Sequence, residues 1–207
     1  MNALSENTIA DIRERLERGL QHEREQRRGG AAIFIPLLQD EDGIEVLFQV
    51  RALDLVRQPG EVCVPGGHIE PGEAPRDAAI RETCEELLVD AKDVRIIADL
   101  GNVVGPGGMP LWVYAGTLDN YANTFDAKEV DRVFTVPLAW LQAHEPRVYR
   151  GEQAPVMPDD FPWDAIPQGR AYPWRRHSHE VTFYFGTEPL LWGFTARMVH
   201  RLVKLLG

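Results

Sequence analysis

Cysteine is scarce in this 207-residue chain, where Cys63 and Cys84 are the only two and Cys84 falls inside a strongly helical stretch. That scarcity argues against a disulfide framework and against a zinc site of the usual spacing, so both thiols are expected to be reduced. Long hydrophobic runs are also missing. No apolar stretch approaches the ~20 residues a helix needs to cross a bilayer, so a soluble protein with no membrane partner is expected. The first 28 residues lack both the apolar centre of a signal peptide and the acid-poor, Ser- and Arg-rich character of a transit peptide, which makes the compartment cytoplasmic by expectation. Excess positive charge is absent: 32 acidic residues stand against 22 Lys and Arg, for a formal charge of −10. A broad nucleic-acid surface needs many basic side chains against phosphates, so no nucleic-acid partner is expected. A small anionic ligand remains compatible with this balance if divalent cations stand between protein carboxylates and ligand oxygens.

What is present describes a globular protein. Hydrophobic residues make up 44% and charged residues 26% of the chain, enough for one well-buried domain and an accessory helix. Residues 1–29 form the accessory part: Ile9, Ile12, Leu16 and Leu20 recur at helical spacing among charges, and Gly29-Gly30 ends the pattern. This amphipathic helix either packs on its own core or makes a homodimer contact. Residues 30–207 form the core domain. Apolar runs at 31–38 and 44–50, separated by a polar turn ending in Gly43, predict a hairpin. Further strand-like runs lie at 94–100, 111–118, 133–137 and 181–185, with helical patterns at 74–88 and 192–206. Strands and single helices alternate, which predicts an α/β fold with a mixed β-sheet and helices on both faces, an α/β/α sandwich. Residues 151–180 read as a long ordered loop, rich in Pro, Trp and Arg. Such a loop either holds a base and phosphates or simply covers the surface.

The chemistry concentrates between residues 62 and 89. Val62-Cys63-Val64 reads as a strand running into Pro65-Gly66-Gly67, whose glycines let a ligand approach the main chain and whose Gly66 carbonyl is a candidate oxygen donor. Pro75 then suits the first turn of a helix. On that helix, at about 100° per residue, Ile80, Cys84 and Leu87 form an apolar stripe, and Glu82, Glu85 and Glu86 gather on the opposite face, away from the core. Three carboxylates so close repel one another unless a cation offsets them, and hard oxygen ligands suit Mg2+ or Mn2+. Taken alone they also fit a solvated acidic face with Arg81 as local partner.

The pattern Gly67, five residues, Glu73, seven residues, Arg81-Glu82, two residues, Glu85-Glu86 resembles the Nudix box. With each letter at roughly 7% frequency, a chance match at a given start is on the order of 10⁻⁷. Two positions depart from it: Thr83 stands where an aliphatic residue is usual, and Leu88 stands in place of the final Gly, which puts the end of the helix in question. Residues 46–51 and 55–67 further resemble the upstream motif of the coenzyme A diphosphatases, a Nudix subfamily, with Val64 in place of Phe. Leu191-Trp192-Gly193-Phe194-Thr195-Ala196-Arg197 is similar to the start of that subfamily's last helix.

The resemblance implies a small-molecule diphosphate substrate and a Mg2+ or Mn2+ cofactor. It implies attack by a metal-activated water on a diphosphate phosphorus, splitting coenzyme A into phosphopantetheine and adenosine 3′,5′-bisphosphate. It implies Glu82, Glu85 and Glu86 as metal ligands, with the Gly66 carbonyl beside them. Arg81 orients a neighbouring glutamate, and Glu73 steadies the loop and helix start. The general base comes from the box or from a downstream loop, where Glu129 is either that base or an ordinary surface glutamate. Arg51 and Arg57 are either phosphate anchors or structural residues, and Gly66 and Gly67 are candidate substrate contacts. Other nucleoside diphosphate derivatives, such as ADP-ribose or dinucleoside polyphosphates, are alternative substrates, and a nucleotide-binding module without turnover is the rival of another class.

Overall fold

Two adjacent strands, β1 (Ala31–Gln39) and β2 (Ile44–Arg51), bury almost every residue of their middle stretches, so both faces are covered and alternation gives way to continuous apolar runs. They belong to a computed structural model that describes residues 29–39, 41 and 43–207; the N-terminal helix expected before Gly29 lies outside the described residues. The chain divides into two compact units, one closing at Trp140 and the other spanning Leu141–Gly207, where the sequence reads one core domain. Among the described residues no helix is long and apolar enough to cross a membrane.

The first unit is built on a seven-stranded mixed sheet. β1 and β2 form the expected antiparallel hairpin, but only at its closed end, where residues 37–39 pair with 44–46. Beyond that they part. Into the gap enter β3 (Val62–Cys63), paired with β2, and β4 (Gly66–His68), paired with β1. Gly66 and Gly67, which follow the expected strand at 62–64, are therefore themselves part of a strand. Pro36 sits where β1 changes partner: Phe34 N–H donates to Pro65 O at 2.9 Å, and two residues on, along the same edge, a missing N–H interrupts no ladder.

The rest of the sheet comprises β5 (Val94–Val104), β6 (Pro110–Leu118) and β7 (Val130–Pro137). β6 runs parallel to β1, β5 pairs antiparallel with β6, and β7 lines the other edge of β2. Helix α1 (Pro75–Leu87) covers one face, with Ala78, Ala79, Thr83, Glu86 and Leu87 buried. Ala78, Ala79 and Leu87 pack with Ala32, Phe34, Leu47 and Tyr114 in one core cluster, the two alanines allowing close approach of helix to sheet. A short helix, α2 (Leu138–Ala143), follows β7.

The second unit holds a three-stranded antiparallel sheet of β8 (Arg147–Gln153), β9 (His177–Tyr184) and β10 (Leu191–Trp192), in the order β10-β9-β8. Helix α3 (Gly193–Leu206) packs on β9 through a buried stripe of Ala196, Met198, Val199 and Leu202. Both ends of the expected 151–180 loop are strand, and its aromatics pack on one another: Phe161 against Trp163 and Trp174, and Arg170 over the Trp163 ring at 5.3 Å.

Candidate active site

Arg81, on the second turn of α1, is the centre of a carboxylate cluster. Its Nε and Nη2 grip Glu73 Oε1 and Oε2 at 2.9 and 3.0 Å. Nη1 donates to Glu82 Oε1 at 2.8 Å and Glu85 Oε2 at 3.1 Å, while Nη2 also reaches the His68 carbonyl at 3.0 Å. This planar fork ties the loop before α1, the strand β4 and two glutamates together, a geometry only guanidinium supplies. Glu73 in turn accepts the Glu70 N–H at 2.9 Å. The paired guanidinium holds the Glu73 carboxyl below its ordinary value, and the Arg81 pKa is raised by the same bond.

The three box glutamates differ in environment. Glu85 is exposed and turned to Arg81. Glu82 is half-buried, and burial raises its pKa against the opposing pull of Arg81. Glu86 is only 2% exposed, which corrects the expectation that all three carboxylates face away from the core. The helical wheel places the buried stripe by Ile80, Cys84 and Leu87, but the small side chains Ala78, Ala79 and Thr83 make the close contact and turn Glu86 inward. Thr83, in place of the usual aliphatic residue, is fully buried with its hydroxyl donating to Ala79 O at 2.7 Å, so no polar group is orphaned.

Glu86 Oε2 receives Gln49 Nε2 at 2.8 Å and the Gly66 N–H at 3.1 Å. Burial pushes its pKa up to about 7, those two donors oppose the rise, and the charges of Glu82 and Glu129 add to it. Glu129 raises Glu82 as well, so the loop glutamate lies within electrostatic range of both box carboxylates. Its loop is tied to the end of α1: Asp126 N–H donates to Glu86 O at 2.8 Å, and Thr124 Oγ1 to Leu87 O at 2.7 Å. Those bonds satisfy carbonyls that a helix terminus leaves without intrahelical partners. The terminus itself closes at Leu88, which adopts the left-handed conformation (φ 53, ψ 49) that Gly takes at low cost.

Gly67 packs directly on Glu82, and a Cβ there would overlap the carboxylate. Gly66, with φ 152, faces the β1 backbone, and the group it brings to Glu86 is its N–H. Arg51 lies on the same face of β2 as Leu47 and Gln49, by strand alternation. It stands beside Cys63, whose thiol burial pushes up to about 12 while Arg51 and Gln49 oppose the rise. Arg51 Nε donates to Arg57 O at 3.3 Å, and Arg57 is exposed in the loop between β2 and β3.

The donors available here are hard oxygens, and Gly67 leaves the Glu82 carboxylate its space. Among the described residues no three acidic, His or Cys side chains form a ready metal cage. Mg2+ characteristically takes one or two carboxylates and completes its shell with waters and substrate phosphates, so Glu82 and Glu86 fit Mg2+ or the similar Mn2+. Sequence reasoning missed Gln49 and the Thr124–Asp126 tether. A glutamine inside the otherwise apolar run from Val46 to Val50 is the signal that points to the first.

Comparison with known proteins decides the family. A NUDIX domain model matches residues 28–160, more than half of the chain. This chain belongs to the Nudix family. The Nudix chain is 28% identical to Nudix hydrolase 3 of Caenorhabditis elegans over 183 residues, covering 85% of this chain and 72% of that protein. It is 33% identical to the peroxisomal coenzyme A diphosphatase NUDT7 of Mus musculus over 132 residues, 63% of this chain and 55% of that protein. Among solved structures, a C. elegans Ap4A hydrolase matches with a TM-score of 0.46 and 22% identity over 53% of this chain and 80% of that one. The helix and loop around Arg81 are thus a Nudix box on a mixed α/β fold, the framework of a hydrolase for nucleoside diphosphate derivatives.

Proposed function

We propose that this Nudix chain hydrolyses the diphosphate bond of coenzyme A or an acyl derivative, releasing phosphopantetheine, or its acyl form, and adenosine 3′,5′-bisphosphate. The observation that carries the reading is the position of Arg51. It shares a face of β2 with Gln49, whose amide touches Glu86. A guanidinium beside Cys63, whose thiol also feels the Glu86 charge, suits a substrate with a phosphate beyond its diphosphate, as coenzyme A has on its ribose. The resemblance of residues 46–51 and 55–67 to coenzyme A diphosphatases and the identity to the mouse enzyme support the same substrate.

A bound Mg2+ or Mn2+ would supply neutralisation of the phosphoryl oxygens and a lowered pKa for the attacking water. Glu82 and Glu86 would hold the cation, with Glu85 and the Gly66 carbonyl as further oxygen donors. Arg81 keeps Glu82 oriented, and Glu129 accepts the proton of the attacking water. Arg51 and Arg57 grip phosphates, and the Gly66-Gly67 main chain lets the diphosphate approach.

The test is incubation of the full chain with coenzyme A and Mg2+ or Mn2+ beside Glu86→Gln, with products identified by mass. Phosphopantetheine and adenosine bisphosphate formed by the intact protein alone establish the reading. Cleavage of ADP-ribose or a dinucleoside polyphosphate but not coenzyme A overturns the substrate, and no cleavage of any of these overturns the hydrolase.

A further inference from the structure

We propose that Gln49 is a positioning residue that fixes which oxygen of Glu86 is offered to the divalent cation; the inference rests on the hydrolase reading above. Gln49 lies in the middle of β2 and is 1% exposed. A buried amide among Val46, Leu47, Phe48 and Val50 is unfavourable unless hydrogen-bonded. Its Nε2 donates to Glu86 Oε2 at 2.8 Å, across 37 residues of sequence. The Gly66 N–H donates to the same oxygen at 3.1 Å.

Two donors on one oxygen restrain rotation of the carboxylate, because turning it breaks both bonds. One donor is backbone held by the β1–β4 pairing and the other is a side chain held by burial. Glu86 Oε1 accepts no hydrogen bond from any described residue, and so remains the oxygen available to a cation. The other end of Gln49 reinforces this. Its Oε1 is buried and has no hydrogen-bond partner among the described residues, so the amide leaves one polar atom unsatisfied while its N–H serves Glu86. An apolar side chain of the same length would fill the space without that cost, which points to the N–H as the reason for a glutamine here. Groups that orient a metal ligand from behind act on the affinity for the metal as well as on turnover.

The experiment compares the full chain with Gln49→Met, of similar length but without a donor, and with Gln49→Asn, which has the same amide one methylene short. Mn2+ binding is followed by electron paramagnetic resonance, kcat and KM are measured separately, and circular dichroism checks the fold. Should Met at this position unfold the chain, the Asn variant carries the test. The expected result is a Mn2+ dissociation constant raised about 10-fold or more and a kcat lowered to match, with KM for the nucleotide nearly unchanged. A purely structural role would lower the folded fraction and leave the Mn2+ affinity of the folded chain as it was. Wild-type affinity and kcat in a folded variant overturn the role of Gln49 alone. A wild-type chain that neither binds Mn2+ nor cleaves a nucleoside diphosphate overturns the hydrolase reading and this inference together.

Discussion

Gly67 and Glu82 stand so close that a Cβ on the glycine would occupy the position of the glutamate's carboxylate. The backbone at Gly67 is otherwise permissive, since its φ is not positive, so the demand for glycine here is purely one of space. Gly67→Ala therefore displaces Glu82 or forces β4 away from α1. Because the atoms met are the far end of a flexible side chain, we expect the carboxylate to swing aside at little cost in stability and kcat to fall ~10-fold or more. Thermal unfolding and turnover check this; an unchanged kcat would show that turnover does not depend on the position of Glu82.

Leu88 closes α1 with φ 53 and is 58% exposed. Left-handed backbone costs a side-chain-bearing residue roughly 1–2 kcal/mol that Gly avoids, while the greater freedom of unfolded Gly takes back ~0.4–1. Leu88→Gly is expected to raise the melting midpoint by a few degrees, and a drop would mean that the Leu88 side chain contributes packing of its own.

Glu73 sets an acid limit on stability. The Arg81 bond holds its folded pKa below the ordinary 4.5, so above that value the carboxyl is ionised in both folded and unfolded chains and the ion pair contributes fully. As pH falls through the lower folded value, the folded carboxyl takes up a proton and the contribution is lost. Denaturant titrations of metal-free protein should show Glu73→Gln less stable at neutral pH, with the gap to wild type closing on acidification. A gap independent of pH would remove Glu73 from this role.

Glu129 is exposed, yet its charge acts on both Glu82 and Glu86. As the proposed base, Glu129→Gln should reduce kcat by ~10² or more, with unfolding unaffected. Near-normal turnover would assign the base to the box instead.

Arg51→Ala should raise KM for coenzyme A while leaving a plain dinucleotide unaffected, if Arg51 reads the phosphate that distinguishes them. Equal effects on both substrates, measured side by side, would remove that role.

Much of this architecture is legible before folding. The hairpin of β1 and β2, the helix over 75–87 and the sheet strands announce themselves by apolar runs and by Pro75. The box carboxylates follow from the resemblance to the Nudix box, since spacing alone leaves a solvated acidic face open. The inward turn of Glu86 does not, because a wheel weighted by hydrophobicity favours Ile80 and Cys84 over Ala78, Ala79 and Thr83, whose small size permits the closer contact. Gln49 meets Glu86 across 37 residues, a distance that no local periodicity encodes. β8 escapes notice for a different reason: every residue of Arg147–Gln153 is exposed, so no burial pattern marks it as a strand.

The gap between β1 and β2 has a consequence for timing. Segment 62–68 fills the space between two strands that pair at one end and separate at the other, and Glu129 stands on a loop that follows two further strands. Such long-range closures come late on a folding route. A chain that has made only its hairpin and helix already carries the acidic residues and Gln49 but lacks the Gly66 N–H behind Glu86 and the glycine shelf beside Glu82, so the complete cluster is expected to assemble at the end of folding rather than along the way.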